Sequence, residues 1–274
     1  MRQFGIIGNP LGHSYSAQLF NGWFEREGMD AQYALYPISE LNKKTLDDLI
    51  RTHRLEGFNV TIPYKQAVMP LLDEVDACAA KMGAVNVVKV DWRGDDYRLT
   101  GYNTDYVGFR ESLLPVLQSK VRDWQEEHNE VTDRPLQALV LGTGGAARAV
   151  VYALSSPWDA DGWAEWKVRM VSRQTAGDGL YERLTYSELT EEMVRRSRLI
   201  VNCTPLGMFP LVDECPPIAY QAVGEGHILY DCIYNPEETL FMKKGREQGA
   251  TTVNGLRMLE RQAQAARRIW GIDN

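Results

Sequence analysis

The stretch that most constrains this chain runs from Leu136 to Leu154. An apolar run, Leu136-Gln137-Ala138-Leu139-Val140-Leu141, meets Gly142-Thr143-Gly144-Gly145-Ala146-Ala147 and continues into a helical stretch from Arg148 to Leu154. A buried strand that turns on glycines straight into a helix is the opening of a parallel α/β sheet. Gly142 permits the tight turn, Gly144 lets the backbone approach a pyrophosphate, and Ala147 lets the helix pack close to the strand. The N–H groups at the helix start, with the helix dipole, favour a bound phosphate. Glycine turns are common, and alone this one could be purely structural; between a strand and a helix it predicts a dinucleotide site. Further strands at Val168 to Ser172, Leu199 to Asn202 and Ile228 to Asp231, alternating with helices, extend the parallel sheet.

The residues before this unit read as a separate α/β segment. Phe4 to Ile7 is a short strand ending in a turn at Gly8-Asn9-Pro10, and Ser16 to Glu27 is a helix that stops at Gly28. A strand at Gln32 to Pro37, a helix at Leu41 to His53 and a strand at Gly57 to Thr61 follow. Ala67 to Leu72 and Val75 to Met82 read as short helices, Ala84 to Val90 as a strand, Asp91 to Asp96 as a turn, and Tyr97 to Tyr102 as its partner strand. The polar stretch Gln118 to Pro135 reads as a helix tail plus linker, and the chain closes on an amphipathic helix, Met258 to Trp270. At 274 residues the chain accommodates two modest domains.

The strand ending near Val171 bears on the choice of nucleotide. An NAD site usually places an acid there for the ribose 2′-hydroxyl. This chain has Ser172-Arg173-Gln174-Thr175 instead, and Arg173 offers a guanidinium suited to a 2′-phosphate, with Ser172 and Thr175 as hydroxyl donors. NADP is the expected cofactor. The formal charge of −7 argues against nucleic acid or an anionic membrane as partner. No apolar run approaches the length that spans a bilayer, and the N-terminus lacks a signal-peptide core, so a cytoplasmic location is expected. Cys78, Cys203, Cys215 and Cys232 include no Cys-x-x-Cys pair, and no Cys/His cluster has zinc spacing. They read as buried or half-buried thiols, and no metal is expected.

Moving a hydride to or from an alcohol carbon also requires a proton at its oxygen, and a lysine beside a carboxylate can manage that proton. Lys65, after Asn59-Val60-Thr61-Ile62-Pro63-Tyr64, and Asp105, after Asn103-Thr104, are candidates, although spacing alone does not bring them together.

Several separate motifs carry a resemblance to the shikimate dehydrogenases over nearly the whole chain. They are Gly8-Asn9-Pro10-Leu11-Gly12-His13-Ser14-Tyr15-Ser16, Asn59 to Lys65, Gly83-Ala84-Val85-Asn86, Asn103-Thr104-Asp105, Asn202-Cys203-Thr204-Pro205-Leu206-Gly207-Met208, Tyr230-Asp231-Cys232-Ile233-Tyr234, and Asn254 to Gln262. The resemblance implies an N-terminal α/β substrate-binding domain (1–108, completed by 255–274), a Rossmann-type parallel-sheet NADP-binding domain (109–254), and an active-site cleft between them. It implies reversible NADPH-dependent reduction of 3-dehydroshikimate to shikimate, in the biosynthesis of chorismate and the aromatic amino acids. Lys65 and Asp105 would be catalytic. Ser14, Ser16, Asn59, Thr61, Asn86, Tyr234 and Gln262 would bind substrate. Gly142, Gly144, Gly145, Ala146, Ser172, Arg173, Cys232 and Gly255 would bind NADP, the last two through backbone groups at the nicotinamide end. A monomer or a homodimer is expected.

The chain departs from that family after its second Rossmann strand. Ser172-Arg173-Gln174 replaces the usual Asn-Arg-Thr, and the glycine-broken Thr175 to Leu184 predicts a lost helix and a more open adenosine pocket. The stretch Pro157 to Trp166 looks long, and Trp158, Trp163 and Trp166 read as local packing. A dual quinate/shikimate enzyme is the nearest rival reading, and Ser16 favours shikimate over it. An enzyme of one-carbon folate metabolism and a non-catalytic shikimate-binding regulator are the others; the paired serines weigh against the first, and the retention of Lys65 and Asp105 against the second.

Overall fold

The computed structural model describes residues 1–12, 15–128, 135–156, 165–174 and 182–273, with backbone only over 121–128. The chain forms two compact units, Met1–Gly108 with Leu259–Asn274, and Phe109–Met258.

The first unit contains β1 (Arg2–Gly8), α1 (Tyr15–Arg26), β2 (Ala31–Pro37), α2 (Lys43–His53), β3 (Leu55–Val60), β4 (Glu74–Val75), α3 (Ala77–Met82), β5 (Val87–Arg93) and β6 (Asp96–Tyr102). Its sheet has the order β2-β1-β3-β5-β6-β4. β1 pairs in parallel with β2 and β3, whereas β5 pairs antiparallel with β3 and β6. Asn42 caps α2 by accepting the Thr45 N–H at 2.9 Å, and Asp76 caps α3 by accepting the Cys78 N–H, also at 2.9 Å. Leu46 and Ile50 of α2 pack with Leu55, Phe58 and Val88 in one core; Phe20 and Phe24 of α1 pack with Phe4, Tyr33 and Trp270 in another.

The last residues of the chain are built into this unit. Trp270, from α8 (Leu256–Trp270), donates its indole N–H to the Val88 carbonyl at 3.0 Å and stacks on Phe4. A Cβ on Gly57 would lie 2.2 Å from the indole nitrogen, so the strand needs glycine there to admit the ring. By the usual cost of emptying an aromatic site, Trp270→Ala would remove about 3–5 kcal/mol.

The second unit opens at Phe109, within α4 (Asp105–His128). It contains β7 (Leu136–Leu141), α5 (Gly145–Ser155), β8 (Trp166–Ser172), β9 (Arg183–Thr185), α6 (Glu191–Arg196), β10 (Ser197–Asn202), β11 (Ile228–Asp231), α7 (Leu240–Glu247) and β12 (Thr251–Val253). The strands run β12-β11-β10-β7-β8-β9, and every recorded pairing is parallel. Counted from β7, this is the order 3-2-1-4-5-6 of a Rossmann sheet, so the α/β class with a Rossmann-type unit holds. The strand order reverses between β7 and β10, and ligands of such sheets bind beyond the strand ends at that switch point.

Some elements differ from the sequence reading. Ala67 to Leu72 forms turns and a short 3-10 segment, Met69–Leu71, because Pro70 cannot donate into a regular helix. Val75 belongs to β4, and its helix starts only after the Asp76 cap. β5 begins at Val87 and runs to Arg93, so the turn after it shrinks to Gly94-Asp95, with Gly94 at φ +68°. The short elements β9, α6, α7 and β12 carry too few residues for a legible period. The stretch expected to have lost its helix falls largely on 175–181, and Trp158 and Trp163 on 157–164, all outside the described residues. Trp166 opens β8 and is buried.

Candidate functional site

In the first unit the motifs that spacing could not connect come together. Lys65 Nζ lies 2.5 Å from Asp105 Oδ2, an ion pair whose side chains are 16% and 8% exposed. Neighbouring strand ends hold it. The Lys65 carbonyl accepts the Val85 N–H at 2.8 Å, and Asn103 Oδ1 accepts the Asp105 N–H at 3.0 Å as α4 begins. Asn103 is itself fixed by donating to the Ala84 carbonyl.

Asn86 is the hub. Its amide nitrogen donates to Asp105 Oδ1 at 2.8 Å and lies 3.1 Å from Thr104 Oγ1 and 3.2 Å from Gln262 Oε1. Its oxygen accepts the Thr104 N–H at 2.7 Å. Asn59 donates to the Asn86 carbonyl at 3.2 Å and accepts from the Tyr33 hydroxyl at 2.7 Å. Burial drives the Tyr33 phenol well above its ordinary range, a hydrogen bond with Ser16 partly opposing this. A continuous polar chain therefore runs from Ser16 through Tyr33, Asn59 and Asn86 to Asp105 and Lys65. Asn59, 5% exposed, has both ends of its amide engaged by protein. Thr61 is half-buried at the end of β3, and Ser14 lies outside the described residues. The sequence reading missed Tyr33 and the bracing role of Asn103: nothing in Ala31–Pro37 sets Tyr33 apart from Tyr36, and only the fold brings it to Asn59.

In the second unit Gly142 follows β7 with φ +110°, and a Cβ there would lie 3.1 Å from the Cys203 carbonyl oxygen. The turn needs glycine both for its backbone and for the neighbouring strand end. Gly144 is exposed, has open space at its Cβ position, and caps α5 with no side-chain hydrogen bond. The first-turn N–H groups of α5 thus have no capping side chain, and Gly145 and Ala146 are half-buried beside them. Ala147 is fully buried against the sheet. Arg173 is exposed after β8, whereas the Ser172 hydroxyl is turned onto the Gln174 carbonyl. Tyr234 is half-buried in the loop after β11.

Cys232 continues the ladder beyond β11 by donating its N–H to the Asn202 carbonyl at 3.0 Å. A Cβ on Gly255 would lie 2.2 Å from the Cys232 carbonyl oxygen, so that position has room only for glycine. Beneath these loops sits Asp231, fully buried. It accepts from Asn202 Nδ2 at 3.1 Å, the Thr239 hydroxyl at 2.6 Å and the Ile233 N–H at 3.0 Å. Burial raises its carboxyl to about 6 despite these donors. Among the described residues no group of three or more His, Cys, Asp or Glu could hold a metal ion, and no helix is long and apolar enough to cross a membrane.

A switch-point glycine turn over an uncapped helix start defines a protein of the dinucleotide-binding α/β class. Residues 6–88 match the family model of the shikimate dehydrogenase substrate binding domain. A shikimate dehydrogenase (NADP(+)) of Clostridium beijerinckii is 36% identical over 275 residues, covering 98% of this chain and 92% of its own. Among solved structures, a shikimate dehydrogenase in complex with NADP+ superposes with a TM-score of 0.79 at 30% identity, over 100% of this chain and 91% of that one. A quinate dehydrogenase from Corynebacterium glutamicum in complex with NAD superposes with a TM-score of 0.77 at 27% identity, over 99% of this chain and 94% of its own. The chain belongs to the shikimate dehydrogenase family.

Proposed function

We propose that this chain is an NADP-dependent shikimate dehydrogenase, reducing 3-dehydroshikimate reversibly to shikimate. The observation that carries the reading is the Lys65–Asp105 pair at 2.5 Å, set among the neutral hydrogen-bonding groups of Asn86, Thr104 and Gln262. Such a surround suits a small polyhydroxy acid, since a site built to bond hydroxyls rejects analogues that lack them.

The residues present fit NADP. The uncapped first turn of α5, the open space at Gly144 and the exposed Arg173 after β8 supply phosphate donors, and no acid stands after β8 where an NAD site would use one. Gly142, Gly144, Gly145, Ala146, Ser172 and Arg173 would hold the nucleotide, with the backbone of Cys232 and Gly255 near the nicotinamide end. When bound, NADPH supplies the hydride. Lys65 gives a proton to the substrate oxygen during reduction and takes it back during oxidation, while Asp105 holds the ammonium in place. Asn86 fixes Asp105, and Ser14, Ser16, Thr61, Tyr234 and Gln262 orient the hydroxyls and carboxylate of the substrate. Asn59, with its amide engaged by Tyr33 and Asn86, serves as support for these groups rather than as a direct contact.

The test follows nicotinamide absorbance with shikimate and with quinate, each offered NADP and NAD. Reduction of NADP by shikimate well above the other three pairs is expected. Quinate turnover at a comparable rate would replace the reading with a dual quinate/shikimate enzyme, and no turnover with any pair would favour a non-catalytic binding protein.

A further inference from the structure

The sulfurs of Cys203 and Cys232 lie 3.5 Å apart. The two residues are 29 positions apart in sequence, and each follows directly the last residue of a strand. β10 and β11 are parallel neighbours with Asn202 opposite Asp231, so Cys203 and Cys232 come next on adjacent rows. Neighbouring strands sit about 4.8 Å apart, inside the range of Cα separations a disulfide spans. Both side chains are half-buried, which leaves them open to a small oxidant.

We propose that Cys203 and Cys232 form a redox-active dithiol that closes to a disulfide under hydrogen peroxide and thereby weakens nucleotide binding. One thiol, as thiolate, attacks a peroxide oxygen. The O–O bond breaks, the sulfur becomes a sulfenic acid, and water leaves. The second thiol then attacks that sulfur, an S–S bond forms, and the sulfenic oxygen departs as a second water. The two thiols together lose two electrons and two protons, and one peroxide becomes two waters. Bonding requires the sulfurs to move from 3.5 Å to about 2.05 Å. A reducing thiol reopens the bridge by thiol–disulfide exchange.

The consequence for the nucleotide rests on the cofactor assignment above. The Cys203 carbonyl packs against Gly142, and the Cys232 carbonyl against Gly255. The spaces are tight: Cβ positions would lie 3.1 Å and 2.2 Å from those oxygens. Drawing the two cysteines together therefore moves the backbone on which both glycine segments rest.

The test treats the purified full chain with hydrogen peroxide, blocks remaining thiols and maps cross-linked peptides by mass spectrometry. NADPH affinity is measured calorimetrically before oxidation, after it, and after dithiothreitol. A bridge joining Cys203 to Cys232 is expected, with affinity lowered about five- to 100-fold and restored by the reductant, the usual span of coupled sites. Cys203→Ser should form no such bridge, and its affinity should not respond to peroxide, whereas Cys78→Ser and Cys215→Ser should respond like the parent. Absence of the bridge, its formation with Cys215 instead, or a bridge that leaves affinity unchanged would overturn the proposal. Reduced protein that binds no NADPH would instead sink the cofactor assignment, and the peptide map would still decide whether the dithiol closes.

Discussion

Asp105 in the first unit and Asp231 in the second are both buried, and their surroundings answer the charge in opposite ways. Asp105 faces the Lys65 ammonium at 2.5 Å and the Asn86 amide at 2.8 Å. Asp231 meets only neutral donors in its recorded hydrogen bonds, from Asn202, Ile233 and Thr239, and its carboxyl is raised to about 6. Neutral donors offset part of the cost of burying a charge, whereas a cation at contact distance offsets more of it. The first arrangement holds a charged pair that can pass a proton to a ligand. The second locks strand ends together and keeps its polar atoms occupied. The contrast extends to the rest of each unit: one presents side chains braced by side chains, the other presents backbone at glycine turns.

Removing the cation tests this contrast most severely. Lys65→Ala leaves Asp105 facing neutral partners only. Turnover of shikimate should fall about 10²- to 10⁴-fold, the usual worth of a positioned acid–base group. Shikimate affinity by calorimetry should stay within about threefold, since the remaining hydrogen bonds persist. Undiminished turnover would break the comparison.

Asp231 predicts a pH effect on stability instead. Its folded pKa lies above the unfolded value of 3.8, so the folded protein holds this proton more tightly. The stabilisation is complete below about pH 4 and is lost as pH rises through about 6. Over that window the loss is on the order of 3 kcal/mol. Asp231→Asn cannot titrate, so denaturant melts from pH 4 to pH 7 should show the parent losing stability relative to the variant as pH rises. Parallel curves for the two proteins would contradict the environment assigned to this carboxyl.

The glycine turns give a smaller effect. Gly142→Ala forces a side chain into a φ of +110° and against the Cys203 carbonyl, so NADPH affinity should fall about tenfold at a strain of 1–3 kcal/mol. Gly144→Ala meets no protein atom, so stability should stay within about 0.5 kcal/mol of the parent, while its methyl enters the space left for the pyrophosphate and NADPH affinity should fall about tenfold. Equal losses of stability in the two variants would remove the distinction between the two glycines. Arg173→Ala should be milder than the first, raising the KM for NADP about fivefold, because an exposed guanidinium is screened by solvent, and leaving that for NAD nearly unchanged.

Much of the nucleotide half was legible because its signal is local. Leu136 to Ala147 carries its strand, turn and helix start in one run, and Gly142 lies where that run puts it. The substrate half was legible only as separate pieces. Asn86 and Gln262 are 176 residues apart and share a hydrogen bond, and no periodicity relates them. Tyr33 and the buried setting of Asp231 carry no local mark at all, and the motif that contains Asn103 does not show its bracing role. Cys203 and Cys232 look ordinary in sequence, and the register of two parallel strands makes them neighbours.

The sequence by itself determined the alternation of strands and helices, the glycine turn and the lack of an acid after the second strand of the nucleotide unit, because each depends on neighbouring residues and on backbone preferences that act over a few positions. The tertiary structure alone decided which side chains meet. Lys65 finds Asp105 because β3, β5 and β6 bring their ends together, and Trp270 docks on Gly57 because α8 returns to the first sheet. Those contacts are set by packing and burial across the whole fold, where distance along the chain carries no information.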